Sequence, residues 1–145
     1  MVPEKVPEGK RVKRVALDWA GRGLVFRGGR PGGVEIPIDG DSAEGPSPMD
    51  TFLLGLSACM GSDIVHILKK SRVPLEALRV EARGDRAEEN PRRYLRIEIV
   101  FRATGPGAQD QARLERALSL SRETYCSFVH SLRSDIELDF RIVRA

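Results

Sequence analysis

Cys59 and Cys126 are the two cysteines of this 145-residue chain, and their side chains are the strongest nucleophiles in it. A thiolate can attack the O–O bond of a peroxide to give a sulfenic acid, which a second thiol then converts to a disulfide. Such a bond closes only where the Cα atoms come within about 4.4–6.8 Å. Both cysteines fall in helical patterns 67 residues apart, so peroxide chemistry requires the two helices to pack face to face.

Two other interpretations of the cysteines follow from the residues alone. Unpaired cysteine is among the most frequently buried residue types, so a purely structural role stays open. A metal site is not expected, although Cys126 and His130 are four residues apart. Cys59 and His66 are two helical turns apart, about 10.5 Å, too far to share one ion. We therefore predict neither a metal nor another cofactor.

The composition is that of one soluble domain spanning residues 1–145, with 1–10 as a loose N-terminal leader. Its 24 basic residues are interspersed with 21 acidic ones, which argues against nucleic acid binding. The leader has no apolar stretch after its charges, and the apolar run 51–60 is shorter than the roughly 20 residues that span a bilayer. We expect a cytoplasmic protein without membrane contact, where a disulfide is more often catalytic than structural.

The clearest predicted element is a long helix that carries Cys59. Ser47 can cap it, Pro48 suits its first position, and Asp50 can complete a capping box. Its body, from Thr51 to about Ser71, is apolar on nearly every side. In so small a domain this pattern predicts that part of the helix surface meets a second subunit.

The remaining patterns predict an α+β domain. Three short strands, around 12–17, 24–26 and 34–38, precede the long helix, and strands over 75–86 and 94–103 follow it. In the latter, Leu95, Ile97, Ile99 and Phe101 alternate as a buried face. A second helix runs from Gln109 to Cys126, a short helical piece ends at Leu132, and a last strand covers 136–142.

Two segments resemble the cysteine motifs of the OsmC/Ohr family, the osmotically inducible and organic hydroperoxide resistance proteins. The first comprises Gly45-Pro46-Ser47-Pro48-Met49-Asp50, Leu53-Leu54-Gly55-Leu56-Ser57-Ala58-Cys59 and Asp63-Ile64-Val65-His66-Ile67-Leu68-Lys69-Lys70-Ser71-Arg72. The second is Arg116-Ala117-Leu118-Ser119-Leu120-Ser121-Arg122-Glu123-Thr124-Tyr125-Cys126-Ser127. With the matching order of elements, the resemblance covers nearly the whole chain beyond the leader.

The resemblance implies an OsmC/Ohr-like α+β fold, with antiparallel strands packed around long central helices in an intertwined homodimer. It also implies a peroxidase that reduces organic hydroperoxides in oxidative-stress defence, with Cys59 as the attacking and Cys126 as the resolving cysteine. The reductant would be a dithiol, lipoyl-linked in the organic hydroperoxide branch. An apolar helix beside the site favours a lipophilic substrate over a small polar peroxide.

The family also has an arginine from the N-terminal strands that stabilises the thiolate, and Arg22 is its nearest match, with Arg27 as a substitute. A solvated turn residue is the alternative interpretation of Arg22. The family glutamate ten residues before the first cysteine is Met49 here, and Asp50 falls on the opposite side of the helix from Cys59. We expect Asp50 to act as a cap. Asp63, one turn after Cys59, would disfavour the thiolate if it faced the same pocket.

Two rival functions remain from the sequence. The first is a non-catalytic module that binds a hydrophobic ligand at the same pocket. The second is a redox sensor that oxidises without turnover. The reactivity of Cys59 separates the first rival from an enzyme, and reduction by dithiols separates the second.

Overall fold

The computed structural model describes residues 11–145, and its contacts divide the chain into two compact units, Met1–Thr51 and Phe52–Ala145. The predicted leader, 1–10, lies outside the described residues. That the chain forms one domain stays a prediction.

The first unit contains a three-stranded antiparallel sheet in the order β1-β2-β3. Its strands are β1 (Ala16–Trp19), β2 (Val25–Gly29) and β3 (Ile36–Asp39). The three predicted strands are present, although β1 starts later than the apolar pattern from Val12 indicated. The turn between β1 and β2 uses Gly21 and Gly23 at φ values of 81° and 49°, a backbone region that favours glycine.

Helix α1 (Pro48–Lys70) begins where the sequence predicts it. The Ser47 N–H donates to Asp50 Oδ2 at 3.1 Å, and the Asp50 N–H donates to Ser47 Oγ at 3.0 Å. This reciprocal pair is the predicted capping box, and it satisfies two N–H groups that have no partner within the helix. Arg72 adopts a left-handed φ of 57° just after the last turn, which ends the helix.

The second unit contains a three-stranded sheet in the order β4-β5-β6. Its strands are β4 (Ala77–Arg86), β5 (Tyr94–Thr104) and β6 (Glu137–Arg144). Strand β5 is antiparallel to β4, as expected, but parallel to β6. The reason is the helical connection between β5 and β6, since a crossover returns the chain in the same direction.

Helix α2 (Gln111–Leu120) belongs to this connection and buries Leu114, Ala117 and Leu118, the face that the sequence indicates. The core of the second unit combines this face with one side of α1 and one side of β5. Its fully buried members include Leu56, Met60, Ile64, Leu68, Ile97, Ile99, Phe101 and Ala103.

One end of β5 differs from the prediction. Leu95 is 44% exposed while Tyr94 is buried, so the predicted buried face does not extend to Leu95. The register shifts between Asp85 and Arg86, where Arg86 pairs with Tyr94. A bulge of this kind moves the following side chains to the opposite face.

Within this single chain α1 is not covered on all sides, because Leu54 remains 58% exposed. By length and composition alone the helix would also be able to cross a bilayer, a property that it shares with core helices of soluble proteins. Its opposite side is completely buried by the protein at Leu56, Met60, Ile64 and Leu68.

Candidate functional site

Cys59 lies in the middle of α1 and is partly exposed. It lines a cavity of about 410 Å³ in the second unit. Phe52, seven residues earlier, lies on the same side of the helix, two turns away. The other lining residues are Ser127, Phe128, Ser131 and Leu132. The sulfur of Cys59 therefore faces a space that is mainly apolar and open to a small molecule.

Cys126 lies at a break in the second helical segment. After α2 the chain forms a π-helical turn, Ser121–Tyr125, and Cys126 then adopts an extended conformation at φ −73° and ψ 103°. Helix α3 (Ser127–His130) follows directly. The sequence predicted one continuous helix to Cys126, but the structure places this cysteine at the junction between two helical pieces.

Two backbone contacts hold Cys126 at this junction. Its N–H donates to the carbonyl of Ser121 at 2.8 Å, closing the π-helical turn. Its Sγ accepts the N–H of Val129 at 3.4 Å, so the thiol caps the start of α3. The side chain is fully buried, and both its sulfur and its backbone are fixed.

Cys59 lies close enough to Cys126 to affect the pKa of its thiol, and neither cysteine is part of a disulfide. Burial raises the pKa of the Cys126 thiol to about 11, the Val129 N–H opposes the rise, and the neighbouring Cys59 adds to it. Cys126 is therefore protonated at neutral pH. Proximity of two cysteines from separate segments is what the formation of a disulfide between them requires.

Asp63, one turn after Cys59, is hydrogen-bonded to Ser121. Its Oδ2 accepts a hydrogen bond of 2.9 Å from the hydroxyl of Ser121, and it does not line the cavity beside Cys59. Ser121 itself is fully buried. The carboxylate thus connects α1 to the π-helical turn that precedes Cys126.

The wall of the cavity depends on residues that the sequence analysis did not select. The ring of Phe128 meets Phe52 edge to face, with centroids 5.1 Å apart, and Phe52 in turn lies 5.4 Å from Tyr94. Gly55 has no side chain at the point where Phe128 approaches α1. The signal available in the sequence was the glycine one turn before Cys59, with Phe52 two turns before it.

Arg22 lies in the first unit, in the turn between β1 and β2, and its guanidinium binds Glu44 with two hydrogen bonds. Nε lies 3.1 Å from Oε2 and Nη2 lies 2.6 Å from Oε1. The hydrogen bond with Arg22 lowers the pKa of Glu44, and Arg27 contributes in the same direction. Arg22 is thus a largely exposed turn residue that is paired with Glu44. Its predicted role towards Cys59 stays a prediction, as does the choice between Arg22 and Arg27.

Glu44 was not selected from the sequence, and its loop is organised by Asp39. The buried carboxylate of Asp39 accepts N–H groups from Asp41, Ala43 and Glu44 at 2.9–3.1 Å. These bonds, led by the one from Glu44, lower the pKa of Asp39. An aspartate that accepts the amide two residues on is a known turn signal and marks this loop in the sequence.

On another side of α1 lies a groove of about 650 Å³ between the helix and β4. Leu54, Val65, Leu78 and Val80 supply its apolar surface, and His66 lines it too. Within residues 11–145, no three His, Cys, Asp or Glu side chains are grouped so as to hold a metal ion.

The fold and this site define an α+β protein in which two free cysteines lie near each other and one of them lines an apolar cavity. The model of the OsmC-like protein family matches residues 39–141, and the chain belongs to that family. The family and the OsmC/Ohr-like fold predicted from the two cysteine motifs are thereby confirmed.

Individual relatives agree with this assignment. The chain is 36% identical to protein YhfA of Escherichia coli strain K12 over 123 residues, which cover 84% of this chain and 90% of the relative. A hypothetical protein from Aquifex aeolicus VF5 has a similar crystal structure, with a TM-score of 0.81 and 30% identity over 92% of this chain and 96% of that one.

A more distant structure is that of an organic hydroperoxide resistance protein, OsmC, from Legionella pneumophila. It matches with a TM-score of 0.63 over 93% of this chain and 98% of its own. At 13% sequence identity, this similarity concerns the fold alone.

Proposed function

We propose that this protein reduces organic hydroperoxides, with Cys59 as the attacking thiolate and Cys126 as the resolving thiol. The observation that carries the proposal is a partly exposed Cys59 that lines an apolar cavity, with a fully buried Cys126 near enough to affect its environment and be affected by it. The raised pKa of Cys126 leaves Cys59 as the cysteine that can act as nucleophile towards a ligand in the cavity.

The reaction has three steps. The Cys59 thiolate attacks the hydroperoxide ROOH and takes up one oxygen, and with one proton the products are Cys59–SOH and the alcohol ROH. The Cys126 thiol then condenses with the sulfenic acid, forming the Cys59–Cys126 disulfide and releasing water. A dithiol, which we propose to be lipoyl-linked, reduces this bond by exchange and becomes a disulfide itself.

The cavity supports an organic substrate. Phe52, Phe128 and Leu132 offer apolar surface to an alkyl or aryl group, while Cys59 lies at the wall. Transfer of such a group from water to an apolar site is favourable by about 25 cal/mol per Å² buried. A hydrogen peroxide molecule gains nothing from this surface.

A cysteine attacks a peroxide as its thiolate, and a nearby positive charge favours that form. We propose that Arg22 supplies it, as the resemblance to the family implies. Its guanidinium retains donors beyond those that bind Glu44, since an arginine has five N–H groups.

We also propose that the working form is a cytoplasmic homodimer. The groove along α1 is lined by exposed Leu54 and by partly buried Val65, Leu78 and Val80 of the same unit. A helix with apolar residues on its solvent side is typical of a surface covered by another subunit.

Stopped-flow oxidation of the reduced protein by cumene hydroperoxide and by hydrogen peroxide tests the enzymatic proposal. We expect fast oxidation that Cys59→Ser abolishes, and a faster reaction with the organic substrate. Cys126→Ser should still be oxidised, and dimedone should trap its sulfenic acid. The wild type should instead form the Cys59–Cys126 disulfide.

The same experiment separates the rival functions. If Cys59 stays reduced in excess peroxide, the enzymatic proposal is wrong and a ligand-binding role replaces it. If the disulfide forms but neither dihydrolipoamide nor dithiothreitol reopens it, the protein is a sensor without turnover.

A further inference from the structure

Ser121 makes hydrogen bonds to both cysteine-bearing segments, helix α1 and the segment that contains Cys126. Its hydroxyl donates to Asp63 Oδ2 at 2.9 Å, and its carbonyl accepts the Cys126 N–H at 2.8 Å. The residue is fully buried. One side chain and one peptide group therefore connect α1 to the backbone of Cys126.

Asp63 is well placed to fix this connection to Cys59. It follows Cys59 by four residues on α1, so both lie on the same side of the helix, one turn apart. An α-helix is rigid over a single turn. The hydrogen bond from Ser121 to Asp63 therefore fixes the π-helical turn at a set distance from the Cys59 backbone.

The π-helical turn needs such support. A π-helical turn is a rare, locally irregular piece of backbone that occurs frequently at functional sites. Its closing bond is the one from Cys126 to Ser121. The Ser121 hydroxyl is buried, so leaving it without an acceptor is costly, and its bond to Asp63 supports the turn.

We propose that Asp63 and Ser121 are positioning residues that hold Cys126 against Cys59 for the disulfide-forming step. The inference rests on the proposed function and extends it to two residues that do not line the cavity beside Cys59. The step that they serve converts Cys59–SOH and Cys126–SH to the disulfide and one water molecule. The attack of Cys59 on the hydroperoxide does not depend on them.

Because only disulfide closure depends on these residues, and not the attack of Cys59 on the hydroperoxide, their loss has an effect that a general loss of stability does not produce. When the disulfide closes slowly, Cys59–SOH survives long enough to meet a second hydroperoxide. That reaction gives Cys59–SO₂H and a second alcohol, and the sulfinic acid cannot be resolved by a thiol. Variants at the hydrogen bond should therefore be oxidised normally at first and then inactivated by excess peroxide.

Two pairs of variants test the proposal in the full-length protein. Ser121→Ala removes the hydroxyl, and Ser119→Ala is its matched control, because Ser119 is exposed and bonds only weakly to Glu123 at 3.4 Å. Asp63→Ala removes the acceptor, whereas Asp63→Asn keeps an oxygen that can accept from Ser121 but loses the charge.

We expect Ser121→Ala and Asp63→Ala to slow disulfide closure about tenfold in single-turnover experiments, the loss of roughly one hydrogen bond. The rate of Cys59 oxidation should stay within about twofold of the wild type, a difference too small to reflect a lost hydrogen bond. Sulfinic acid at Cys59, measured by mass spectrometry, should increase in both. Ser119→Ala and Asp63→Asn should behave as the wild type.

Equilibrium with reduced and oxidised glutathione provides a second measurement that needs no peroxide. Protein dithiol and oxidised glutathione exchange to protein disulfide and two reduced glutathiones, so the equilibrium reports how closely the two thiols are held. Ser121→Ala and Asp63→Ala should shift it about tenfold towards the dithiol. If Ser121→Ala does not fold, the two Asp63 variants still decide the question.

The outcomes distinguish the two proposals. Peroxide that fails to oxidise the wild type overturns the proposed function, while the glutathione equilibrium still decides whether Asp63 and Ser121 hold the thiols together. Normal closure and an unchanged glutathione equilibrium in both Ser121→Ala and Asp63→Ala overturn the positioning role alone. Equal defects in Asp63→Asn and Asp63→Ala overturn it as well, since the charge and not the hydrogen bond would then matter.

Discussion

Phe128 packs its ring edge against Gly55, and a Cβ on Gly55 would lie only 2.8 Å from Cε2 of that ring. Real Cβ atoms do not come so close, and a side chain here displaces the ring. Phe128 is also a wall of the cavity that contains Cys59. The position of that wall therefore depends on the absence of a side chain at Gly55.

Gly55→Ala should reshape the cavity and reduce the preference for organic substrates. We expect the ratio of oxidation rate constants, cumene hydroperoxide over hydrogen peroxide, to fall about fivefold, equivalent to losing part of one buried apolar contact. Gly61→Ala is the control, because its Cβ would meet Val80 at an ordinary 3.7 Å. An unchanged ratio in Gly55→Ala would show that Phe128 does not shape the substrate site.

The buried thiol of Cys126 predicts a pH dependence of folding. Its pKa is raised from 9.0 to about 11 by burial, so the folded state binds this proton more tightly than the unfolded state does. The stabilising contribution is complete below pH 9 and is lost as the pH rises through 11. The difference between these two pKa values corresponds to a change of at most roughly 2–3 kcal/mol in the free energy of unfolding.

Urea unfolding between pH 8 and 11.5, under reducing conditions, measures this contribution. Lysine and tyrosine titrate in the same range, so the useful quantity is the difference between the wild type and Cys126→Ser. We expect that difference to shrink as the pH rises. A difference that is constant with pH would mean that the Cys126 thiol titrates normally in the folded protein.

Arg22 should matter for reactivity far more than for stability. Its ion pair with Glu44 is largely exposed, at 62% and 47% of the two side chains, and exposed pairs contribute about 0–1 kcal/mol. Loss of a positive charge that stabilises a thiolate should instead slow alkylation of Cys59 by iodoacetamide at pH 7. We expect at least a tenfold decrease in Arg22→Ala, about 1.4 kcal/mol.

Alkylation is best followed in a Cys126→Ser background, so that one thiol reacts. Arg27→Ala is the matched control and should react at close to the parental rate. If Arg27→Ala is slow and Arg22→Ala is not, the roles of the two arginines are reversed.

The exposed side of α1 predicts how the protein associates. Leu54→Glu places a charge in the groove along α1 and should convert a dimer to a monomer in sedimentation experiments, because an unpaired charge at an apolar interface is costly. Leu95→Glu tests the specificity of the effect, since Leu95 is similarly exposed, on strand β5. A wild-type protein that sediments as a monomer, or a Leu54→Glu protein that stays dimeric, contradicts this arrangement.

Local sequence signals determined α1 and the outline of the fold. Ser47 and Asp50 cap the helix through bonds between residues three apart, so the pattern of residue types is enough to locate its start. The alternation over Ile97, Ile99 and Phe101 likewise marks the buried face of β5. The two cysteine motifs were sufficient to indicate the family.

The details of the site depend on contacts between residues far apart in the chain. Ser121 bonds to Asp63, 58 residues away, and Arg22 bonds to Glu44, 22 residues away. No local pattern encodes such a partner, because propensity and periodicity describe only neighbouring residues.

The sequence alone therefore determined the family and most of the helices and strands, and it singled out the two cysteines as candidates for chemistry. Tertiary structure decided that the second helix breaks before Cys126, because the π-helical turn ends in the extended backbone of that residue. It also decided that Phe128 closes the cavity against Gly55. Both results come from packing between α1 and the segment after α2, where the protein interior leaves one arrangement that fits.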